Sequence, residues 1–267
     1  MATTRPRVRW RTLALPNEHG AWAFLLEPAL LGLGVAPSAA GVALVGAGLG
    51  ALLTQHPLGL ALADLRRARR FPRTRPALGL AAGYGAVALA FVGAALLLGA
   101  RAVALVPLAS MLPVALVQLA FDARNRGRDA RAELAGALAL GALAAAVVLA
   151  AGGPWSVALA LWLVAAARNA PSVLYVRARL RLQRGAAAPR RLVLVAHAAA
   201  WLAVAGACIA GALPWLALVP FAVLLARAAS GMRPSAPVLA ARTVGMLEMA
   251  FGLSTVAAVL LGVWAGL

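Results

Sequence analysis

Long apolar segments separated by short polar connections run through the whole chain. Each segment holds roughly 17–25 residues, which as an α-helix is long enough to cross a hydrocarbon core about 30 Å thick. The pattern therefore predicts an all-α fold, a polytopic membrane helical bundle with about nine transmembrane helices. The predicted spans are residues 20–36, 39–63, 77–99, 102–121, 132–151, 155–176, 192–212, 213–229 and 243–266.

The basic residues are sorted to one side of this predicted bundle. All 25 are arginine, and 23 of them lie in the N-terminal segment or in every second connection. Arg101 lies in an opposite connection, and Arg168 lies inside an apolar segment. Because cytoplasmic loops carry an excess of Arg and Lys, we expect a cytoplasmic N-terminus and a C-terminus outside. The chain then divides into a basic cytoplasmic segment, 1–19, and a single transmembrane domain, 20–267, in the cell membrane.

Composition agrees with a membrane protein and disfavours other classes. The chain is 64% hydrophobic with a mean hydropathy of +0.90, well above the apolar content of about 45–50% usual in soluble domains. The net charge of +18 is spread over short loops, so we expect membrane lipids and not nucleic acid as partners. Cys208 is the sole cysteine, which excludes an internal disulfide and a Cys-rich metal site. A cleaved signal peptide is the alternative to a first span, although Glu27-Pro28 interrupts its apolar stretch.

Polar side chains within the predicted spans fall in the half nearest the basic connections. Glu27 lies in the first span, Gln55 and His56 lie in the second, and His197 and Glu248 lie in the seventh and ninth. Ionisable residues inside a bilayer normally face a bundle interior or a wet cavity. We therefore expect a polar cavity that opens to the cytoplasm and is closed towards the outside. This asymmetry disfavours a continuous pore.

Each candidate also has a purely structural interpretation. The loop arginines serve equally well as topology determinants and lipid-headgroup contacts. His197 suits a helix–helix hydrogen bond, and Glu248 could pair with Arg242, although a spacing of six residues fits neighbouring helix faces poorly. Arg168 differs, because a guanidinium buried in a membrane needs a counter-charge. Glu27 or Glu248 is its expected partner.

Two short motifs carry a resemblance to a known family. The run Pro16-Asn17-Glu18-His19-Gly20-Ala21-Trp22, followed by Glu27-Pro28, resembles the His-Gly-Ala-Trp motif of the YwiC-like bacterial membrane proteins. The run Tyr175-Val176-Arg177-Ala178-Arg179-Leu180-Arg181-Leu182 resembles a second part of that family's pattern. The resemblance covers most of the chain and implies a bacterial membrane protein without implying a particular activity.

A more distant resemblance is to the UbiA-type prenyltransferases, which have nine helices and a cytoplasmic-side cavity. These enzymes hold magnesium and a prenyl diphosphate between two aspartate-rich motifs, one ending the second helix and one ending the sixth. The run from His56 to Asp64 resembles the first motif but keeps only its last acid, and Arg73-Thr74-Arg75-Pro76 is similar to an Arg-Pro element that follows it. Where the second motif has acids, this chain has Arg177, Arg179 and Arg181.

The missing acids change what the second resemblance implies. Magnesium is held by carboxylates that bridge it to substrate phosphates, so we predict no metal site and no cofactor. Magnesium enters only under the interpretation of a divergent prenyltransferase. The arginines instead suit direct binding of phosphate or carboxylate, because a guanidinium offers two parallel donors to either group.

Three functions stay open from the sequence. The first is a protein that binds an anionic lipid or isoprenoid-like ligand without the magnesium–diphosphate cluster. The second is a divergent prenyltransferase or lipid-modifying enzyme, with His19, His56 or Glu27 as the catalytic acid or base. The third is an anion transporter, which would need a polar path through the outer half. The candidate ligand-binding residues are Asn17, Glu18, His19, Trp22, Glu27, Gln55, His56, Asp64, Arg73, Arg168, Asn169, Tyr175, Arg177, Arg179, Arg181, His197 and Glu248.

Overall fold

The computed structural model describes residues 10–15, 19–67 and 71–266, with the backbone alone for residues 19–21. Within these ranges the secondary structure is helical and contains no strand. Eleven α-helices follow one another, and 3₁₀ turns precede α5 (Ala102–Leu105) and α10 (Trp215–Ala217). The helices are α1 Trp10–Ala14, α2 His19–Val35, α3 Ala39–Arg66, α4 Thr74–Leu97, α5 Val106–Ser110, α6 Leu112–Asp122, α7 Ala130–Ala150, α8 Trp155–Gln183, α9 Arg190–Ile209, α10 Leu218–Gly231 and α11 Ala241–Trp264.

Six of the described helices are long and apolar enough to cross a membrane, which indicates a multi-pass membrane protein. They are α3, α4, α7, α8, α9 and α11. A seventh crossing arises if α5 and α6, which meet at a bend of 41°, form one broken span. The segments of α2 and of α10 are apolar but shorter. Each of the nine predicted segments thus corresponds to helix in the structure. Fewer than nine of these helices are long and apolar enough to cross a membrane.

Proline explains why the predicted span 102–121 is broken. Pro107 and Pro113 lie in the first turns of α5 and α6. Proline has no backbone N–H and its ring clashes with the preceding turn, so a helix begins at such a residue more readily than it passes through it. The break falls at Met111.

The core of the bundle is built around α7. Residues 142–150 of this helix are all buried, and α7 packs against α2, α3, α6 and α8. Its alanine-rich sequence lets the neighbouring backbones approach closely, which is how helices associate in membranes. By contrast, α4 packs mainly on α3 and leaves most of its surface exposed. Asp129 caps the N-terminus of α7 by accepting the backbone N–H of Arg131 at 3.1 Å.

One end of the bundle carries the connections after α3, α6, α8 and α10, and we call it the arginine-rich end. Side chains of α8 tie two of these connections to the helix, because Arg177 donates to the carbonyl of Arg128 after α6 and Arg179 donates to those of Gly231 and Pro237 at and after the end of α10. The helix of the sixth predicted span does not end with the apolar segment at residue 176. Helix α8 continues to Gln183, so Arg177, Arg179 and Arg181 lie on its last turns rather than in a loop. Arginine is a good helix former, which allows the helix to outlast its apolar part.

Candidate functional site

A cavity of about 790 Å³ lies near the arginine-rich end, between α2, α3, α6, α7, α8 and α11. This volume is within the range of about 300–1,000 Å³ typical of small-molecule sites. The lining comes from the later turns of α3 and α8 and the early turns of α7 and α11.

Three buried or nearly buried charges, Glu27, Arg168 and Glu248, lie at the deep end of the cavity, and Arg227 joins them through Glu248 from outside the lining. We call these four residues the buried charge cluster. Arg168 is 3% exposed, and its Nη1 donates to the Ser172 hydroxyl at 2.6 Å. Its Nη2 donates to the Glu248 carbonyl and lies 3.5 Å from Oε1 of Glu27. The prediction that Glu27 or Glu248 pairs with Arg168 is confirmed, because both carboxylates contact the guanidinium.

Glu248 bridges the two arginines of the cluster. Its Oε1 accepts a hydrogen bond from Nη1 of Arg227, and its Oε2 lies 3.5 Å from Nη1 of Arg168. The second contact is close enough for an ion pair but lacks hydrogen-bond geometry, so Oε2 has no hydrogen-bond partner among the described residues. The suggested pair of Glu248 with Arg242 does not form between the described side chains. Two carboxylates and two guanidinium groups give the cluster no formal net charge, which is how charges are tolerated in a low-dielectric interior.

Helix α11 approaches the cluster through a glycine. A Cβ atom at Gly252 would overlap the carboxylate of Glu27 and would lie 3.1 Å from Nη2 of Arg168. The residue must therefore be glycine for the Glu27–Arg168 pair to keep its place against α11.

The rim of the cavity is polar and is formed where α3, α6, α7 and α8 approach the arginine-rich end. Gln55 donates from its amide to Oδ2 of Asp122 at 2.8 Å. Gly59 and Gly127 both lie so close to Asp122 that a Cβ at either position would crowd its side chain. Asn125, in the connection between α6 and α7, lines the cavity with a left-handed backbone (φ 55°), a conformation that asparagine tolerates better than most residues.

Arg177 fixes the other side of this rim. Its Nη1 lies 3.0 Å from a carboxylate oxygen of Glu133 and donates to the carbonyl of Arg128 at 2.7 Å. Both contacts use the same nitrogen, and Nε and Nη2 of Arg177 make no hydrogen bond to the described residues. Arg177 lies nine residues beyond Arg168 on α8, which is about 13 Å at the rise of a helix.

Between the deep end and the rim, the wall of the cavity is mostly apolar. Its exposed surface is dominated by aliphatic side chains, which reach it from four different helices. They are Leu52, Leu60, Leu140, Val173, Val176 and Met249. The cavity is therefore amphipathic, with charged groups at both levels and a hydrocarbon surface between them.

Asp64 forms a separate ion pair that does not line the cavity. Nε and Nη2 of Arg73 donate to its two oxygens at 3.0 and 2.7 Å, and the Thr74 hydroxyl donates to Oδ2 at 3.0 Å. Hydrogen bonding to Asp64 raises the pKa of the Arg73 guanidinium above its ordinary value, so the pair stays ionised. This contact closes the connection between α3 and α4, and we call it the Asp64–Arg73 staple.

The predicted site residues fall into three groups. Six of them line the cavity, namely Glu27, Gln55, His56, Arg168, Arg177 and Glu248. Eight lie outside its lining, namely Trp22, Asp64, Arg73, Asn169, Tyr175, Arg179, Arg181 and His197. Asn17 and Glu18 lie outside the described residues, and His19 is described only as the first residue of α2.

Several residues of the second group have structural contacts. Arg179 is buried and donates to two carbonyls that follow or end α10. His197 has no hydrogen bond to another helix among the described residues, because its Nδ1 contacts the carbonyl of Val193 in its own helix at 2.8 Å and its Nε2 has no partner there. Trp22 and Arg181 are exposed. Asn169 is fully buried, and neither atom of its amide has a partner among the described residues.

The sequence interpretation did not single out Arg227, Ser172 or the connection of Asn125 and Arg128. Arg227 was assigned to a basic connection, although it lies inside the apolar segment 213–229 and is within α10. The reasoning that marked Arg168, an arginine within a predicted span, applies equally to Arg227. No sequence signal distinguishes Ser172 from other small residues of α8.

The described residues contain no group of three or more His, Cys, Asp or Glu side chains that could hold a metal ion. The acid that remains from the aspartate-rich pattern, Asp64, has both oxygens occupied by Arg73 and Thr74. A magnesium–diphosphate centre of the UbiA type does not fit these residues, because Mg²⁺ would require several unoccupied carboxylate oxygens.

These features define a multi-pass helical membrane protein with a buried charge cluster beside an amphipathic cavity. The family model of the YwiC-like proteins matches residues 15–148, and the chain belongs to the YwiC-like family. This match includes the His-Gly-Ala-Trp motif, α2, α3 and α6, which supply one side of the cavity. No curated protein and no solved structure matches the chain. The resemblance to UbiA-type enzymes stays a prediction.

Proposed function

We propose that this protein binds one amphipathic anionic ligand, a lipid or an isoprenoid-like molecule, in the cavity between α3, α7 and α8. The observation that carries the proposal is the pairing of an aliphatic wall with an arginine-bearing rim in a cavity of about 790 Å³. Ligand sites typically combine a mainly apolar lining with a few polar groups that orient the ligand. The positive-inside pattern of the arginines favours a cavity that faces the cytoplasm.

The hydrocarbon part of the ligand would lie along the aliphatic wall. Leu52 and Leu140 line the deeper part of the cavity, while Leu60 and Val176 line it nearer the rim. Burial of apolar surface contributes roughly 25 cal/mol per Å² removed from water. An alkyl or prenyl chain therefore gains more from this wall than a small inorganic anion does.

The anionic group would lie at the rim, beside Arg177. This guanidinium engages Glu133 and the Arg128 carbonyl through Nη1 alone, and Nε and Nη2 remain for two oxygens of a phosphate or carboxylate. The side chain is 37% exposed, so such an anion reaches it without entering the buried charge cluster. The arginine itself supplies the charge, and no metal ion is required for this contact.

A lipid-modifying enzyme is the second candidate. His56 and Glu27 both line the cavity, and an imidazole can accept or donate a proton near neutral pH. Nε2 of His56 lies 3.1 Å from the carbonyl of Thr12, so a bound substrate would have to displace α1 or use Nδ1. This contact places the enzyme second to the binding protein.

Lipid retained by the purified protein tests the proposal. Protein extracted in mild detergent is delipidated into organic solvent, and the extract is analysed by mass spectrometry for wild type, Arg177→Gln and Arg181→Gln. Arg181 is a matched control, because it lies one turn further along α8, is exposed and does not line the cavity. We expect one enriched anionic amphiphile in the wild type and in Arg181→Gln, with at least a several-fold loss in Arg177→Gln.

Two results would overturn the proposal. One is an extract with no amphiphile enriched over the bulk membrane, together with robust anion uptake by the protein in liposomes, which would favour a transporter. The other is equal enrichment in all three proteins. Turnover of the retained lipid that is lost in Glu27→Gln would place the enzyme first.

A further inference from the structure

The face of α7 that lines the cavity changes in character from the rim towards the deep end. It presents Glu133, Gly136 and Leu140, and all three line the cavity. Residues three and four positions apart share one face of a helix, and these steps cover about 4.5 and 6 Å along the axis. Since α7 begins at the arginine-rich end, a carboxylate, a bare stretch of backbone and an aliphatic side chain follow one another inwards at three successive levels.

The first and third levels already have a role in the proposed function. At the first level Glu133 pairs with Nη1 of Arg177 at 3.0 Å, and Arg177 is the guanidinium to which the proposed function assigns the anion. At the third level Leu140 joins Leu52 in the deeper part of the aliphatic wall. The middle level, at Gly136, has no role in binding an anion or a hydrocarbon chain.

Gln118 occupies this middle level. Its side chain reaches from α6 to the backbone of Gly136, where an added Cβ would overlap the oxygen, carbon and nitrogen of the amide group. Glycine is therefore required at position 136 for the amide to lie against α7. Gln118 is half-buried and is itself part of the cavity lining. The amide thus lies at the cavity surface, one turn of α7 deeper than the pair of Glu133 and Arg177.

The amide of Gln118 makes no hydrogen bond to the described residues. Gln55, the other glutamine in the lining, donates to Asp122 at 2.8 Å. A carboxamide has an acceptor oxygen and an NH₂ group with two donors, and leaving them unused beside an apolar wall is unfavourable. Because Gln118 lines the cavity, a ligand bound there can supply the missing partner.

We propose that the cavity ligand is a phosphorylated acylglycerol, with its phosphate at Arg177, its glycerol ester at Gln118 and its acyl chain along the aliphatic wall. The inference rests on the proposed function, because it takes the anion to lie at Arg177. In this class of lipid an ester follows the phosphate after the short glycerol unit, and the hydrocarbon follows the ester. Anion, neutral hydrogen-bonding group and hydrocarbon therefore occur in the order of the three levels. The ester carbonyl accepts a hydrogen bond from the Gln118 amide.

An isoprenoid phosphate lacks the middle group of this sequence. Its hydrocarbon begins at the phosphate ester oxygen, so its first isoprene unit would lie against Gln118 and leave the amide without a partner. Such a ligand still uses Arg177 and the aliphatic wall. It therefore binds, but more weakly than an acylglycerol phosphate with a chain of similar length.

Three phosphates with the same hydrocarbon chain length test this inference: 1-oleoylglycerol 3-phosphate, its 1-O-oleyl ether analogue and oleyl phosphate. The ether differs from the ester only in lacking the carbonyl oxygen, and oleyl phosphate lacks the whole glycerol ester. Each is titrated into the purified wild-type protein in detergent with EDTA. We expect one bound ester per chain, held about threefold to tenfold more tightly than the ether, which corresponds to one neutral hydrogen bond. Oleyl phosphate should bind no more tightly than the ether.

Gln118→Met tests whether the amide causes the preference, because methionine keeps an unbranched side chain of similar length without hydrogen-bonding groups of that strength. This variant should bind the ester and the ether equally. Gly136→Ala, which would displace the amide, should also reduce the preference. Gln183→Met is the matched control, because Gln183 lies at the end of α8 and outside the cavity lining. It should keep the preference of the wild type.

The outcomes separate this inference from the proposed function on which it rests. Equal affinity of the wild type for ester and ether overturns the inference alone, and so does an ester preference that survives in folded Gln118→Met. Tighter binding of oleyl phosphate than of the ester has the same consequence. The wild-type comparison requires no substitution, so it decides the matter even if a variant fails to fold. If none of the three phosphates binds, the proposed function fails and the inference fails with it.

Discussion

Arg73 and Arg227 present the same donor edge in two different settings. Arg73 lies at the arginine-rich end with its side chain 42% exposed, and both nitrogens of its Nε–Nη2 edge hold the fully buried carboxylate of Asp64. Arg227 is 13% exposed, is enclosed by two aromatic rings, and has the same two nitrogens without a partner among the described residues. The more buried arginine is the one left incomplete.

This difference separates a structural contact from a candidate site. In the Asp64–Arg73 staple both donors of the Nε–Nη2 edge and both oxygens of the carboxylate are used, with Thr74 as a third donor, so this contact holds one connection. In the buried charge cluster, atoms of Arg168, Arg227 and Glu248 remain unpaired. Unsatisfied buried polar groups are unfavourable, and they persist where a ligand or water completes them.

The largest effect is expected from Glu248→Gln. Glu248 is the only one of the described carboxylates that contacts both arginines of the cluster. Its neutralisation leaves Arg168 with Glu27 as its one carboxylate and removes the carboxylate that pairs with Arg227. Breaking a buried pair by removing one partner typically lowers the free energy of unfolding by about 3–5 kcal/mol. Unfolding in detergent, followed by circular dichroism, measures the loss.

A double substitution tests whether the orphaned charge causes that loss. Glu248→Gln combined with Arg227→Gln removes one charge of each sign, so it should be less destabilising than Glu248→Gln alone. A double variant that is as unstable as the sum of the two single variants would show that the two residues do not form a coupled pair.

A smaller effect is expected from Gly252→Ala, which changes the cluster without changing a charge. The added methyl group would overlap the Glu27 carboxylate, and overpacking of this kind costs about 1–3 kcal/mol. Gly245→Ala is the matched control on α11, because a Cβ at Gly245 meets no described atom within 4 Å. Thermal unfolding should show a lower midpoint for the first variant only, and an equal response would mean that helix propensity alone is at work.

Asp64→Asn should be comparable or milder, and it should leave ligand binding intact. Asparagine keeps the shape of the aspartate side chain but replaces one carboxylate oxygen with an NH₂ group. That group is itself a donor and cannot accept a hydrogen bond from Arg73. Loss of a charged hydrogen bond of this kind lowers stability by about 1–3 kcal/mol. If retention of the cavity lipid falls in the folded variant, Asp64 contributes to the binding site and the contrast between the two arginines is wrong.

The smallest effect is expected from Arg126→Gln. Arg126 pairs with Asp129 at 2.9 Å, and its side chain is 62% exposed, so water and salt screen the interaction. The unfolding midpoint should not change measurably. A marked loss would show that ion pairs at this end are stronger than their exposure indicates.

The positions of the helices could be predicted from the sequence because long apolar segments report them directly. Residues 39–63 and 132–151 correspond closely to α3 and α7. The break at Met111 was not predicted, because hydropathy averaged over a span does not show that a new helix begins near Pro113. The extension of α8 to Gln183 was not predicted either, because hydropathy falls where arginines continue the helix.

The candidate site was predicted in part, and for a physical reason. Arg168 stands out because the membrane makes a lone guanidinium costly, and its partners followed from the need for a counter-charge. Which of the other arginines on α8 line the cavity, bond to the backbone or face outwards could not be predicted. Arg177 lines the cavity, Arg179 is used by two carbonyls and Arg181 is exposed, a difference that depends on the rotation of α8 against its neighbours.

Titration of the purified protein with a matched pair of probes, farnesyl monophosphate and farnesol, tests the proposed function most directly. Both have the same hydrocarbon chain, and only one has the anionic group. In the presence of EDTA we expect one farnesyl monophosphate to bind per chain, with farnesol and the Arg177→Gln variant each weaker by about tenfold or more. Equal binding of the two probes, or binding that disappears when magnesium is removed, would contradict an amphipathic cavity in which Arg177 holds the anion.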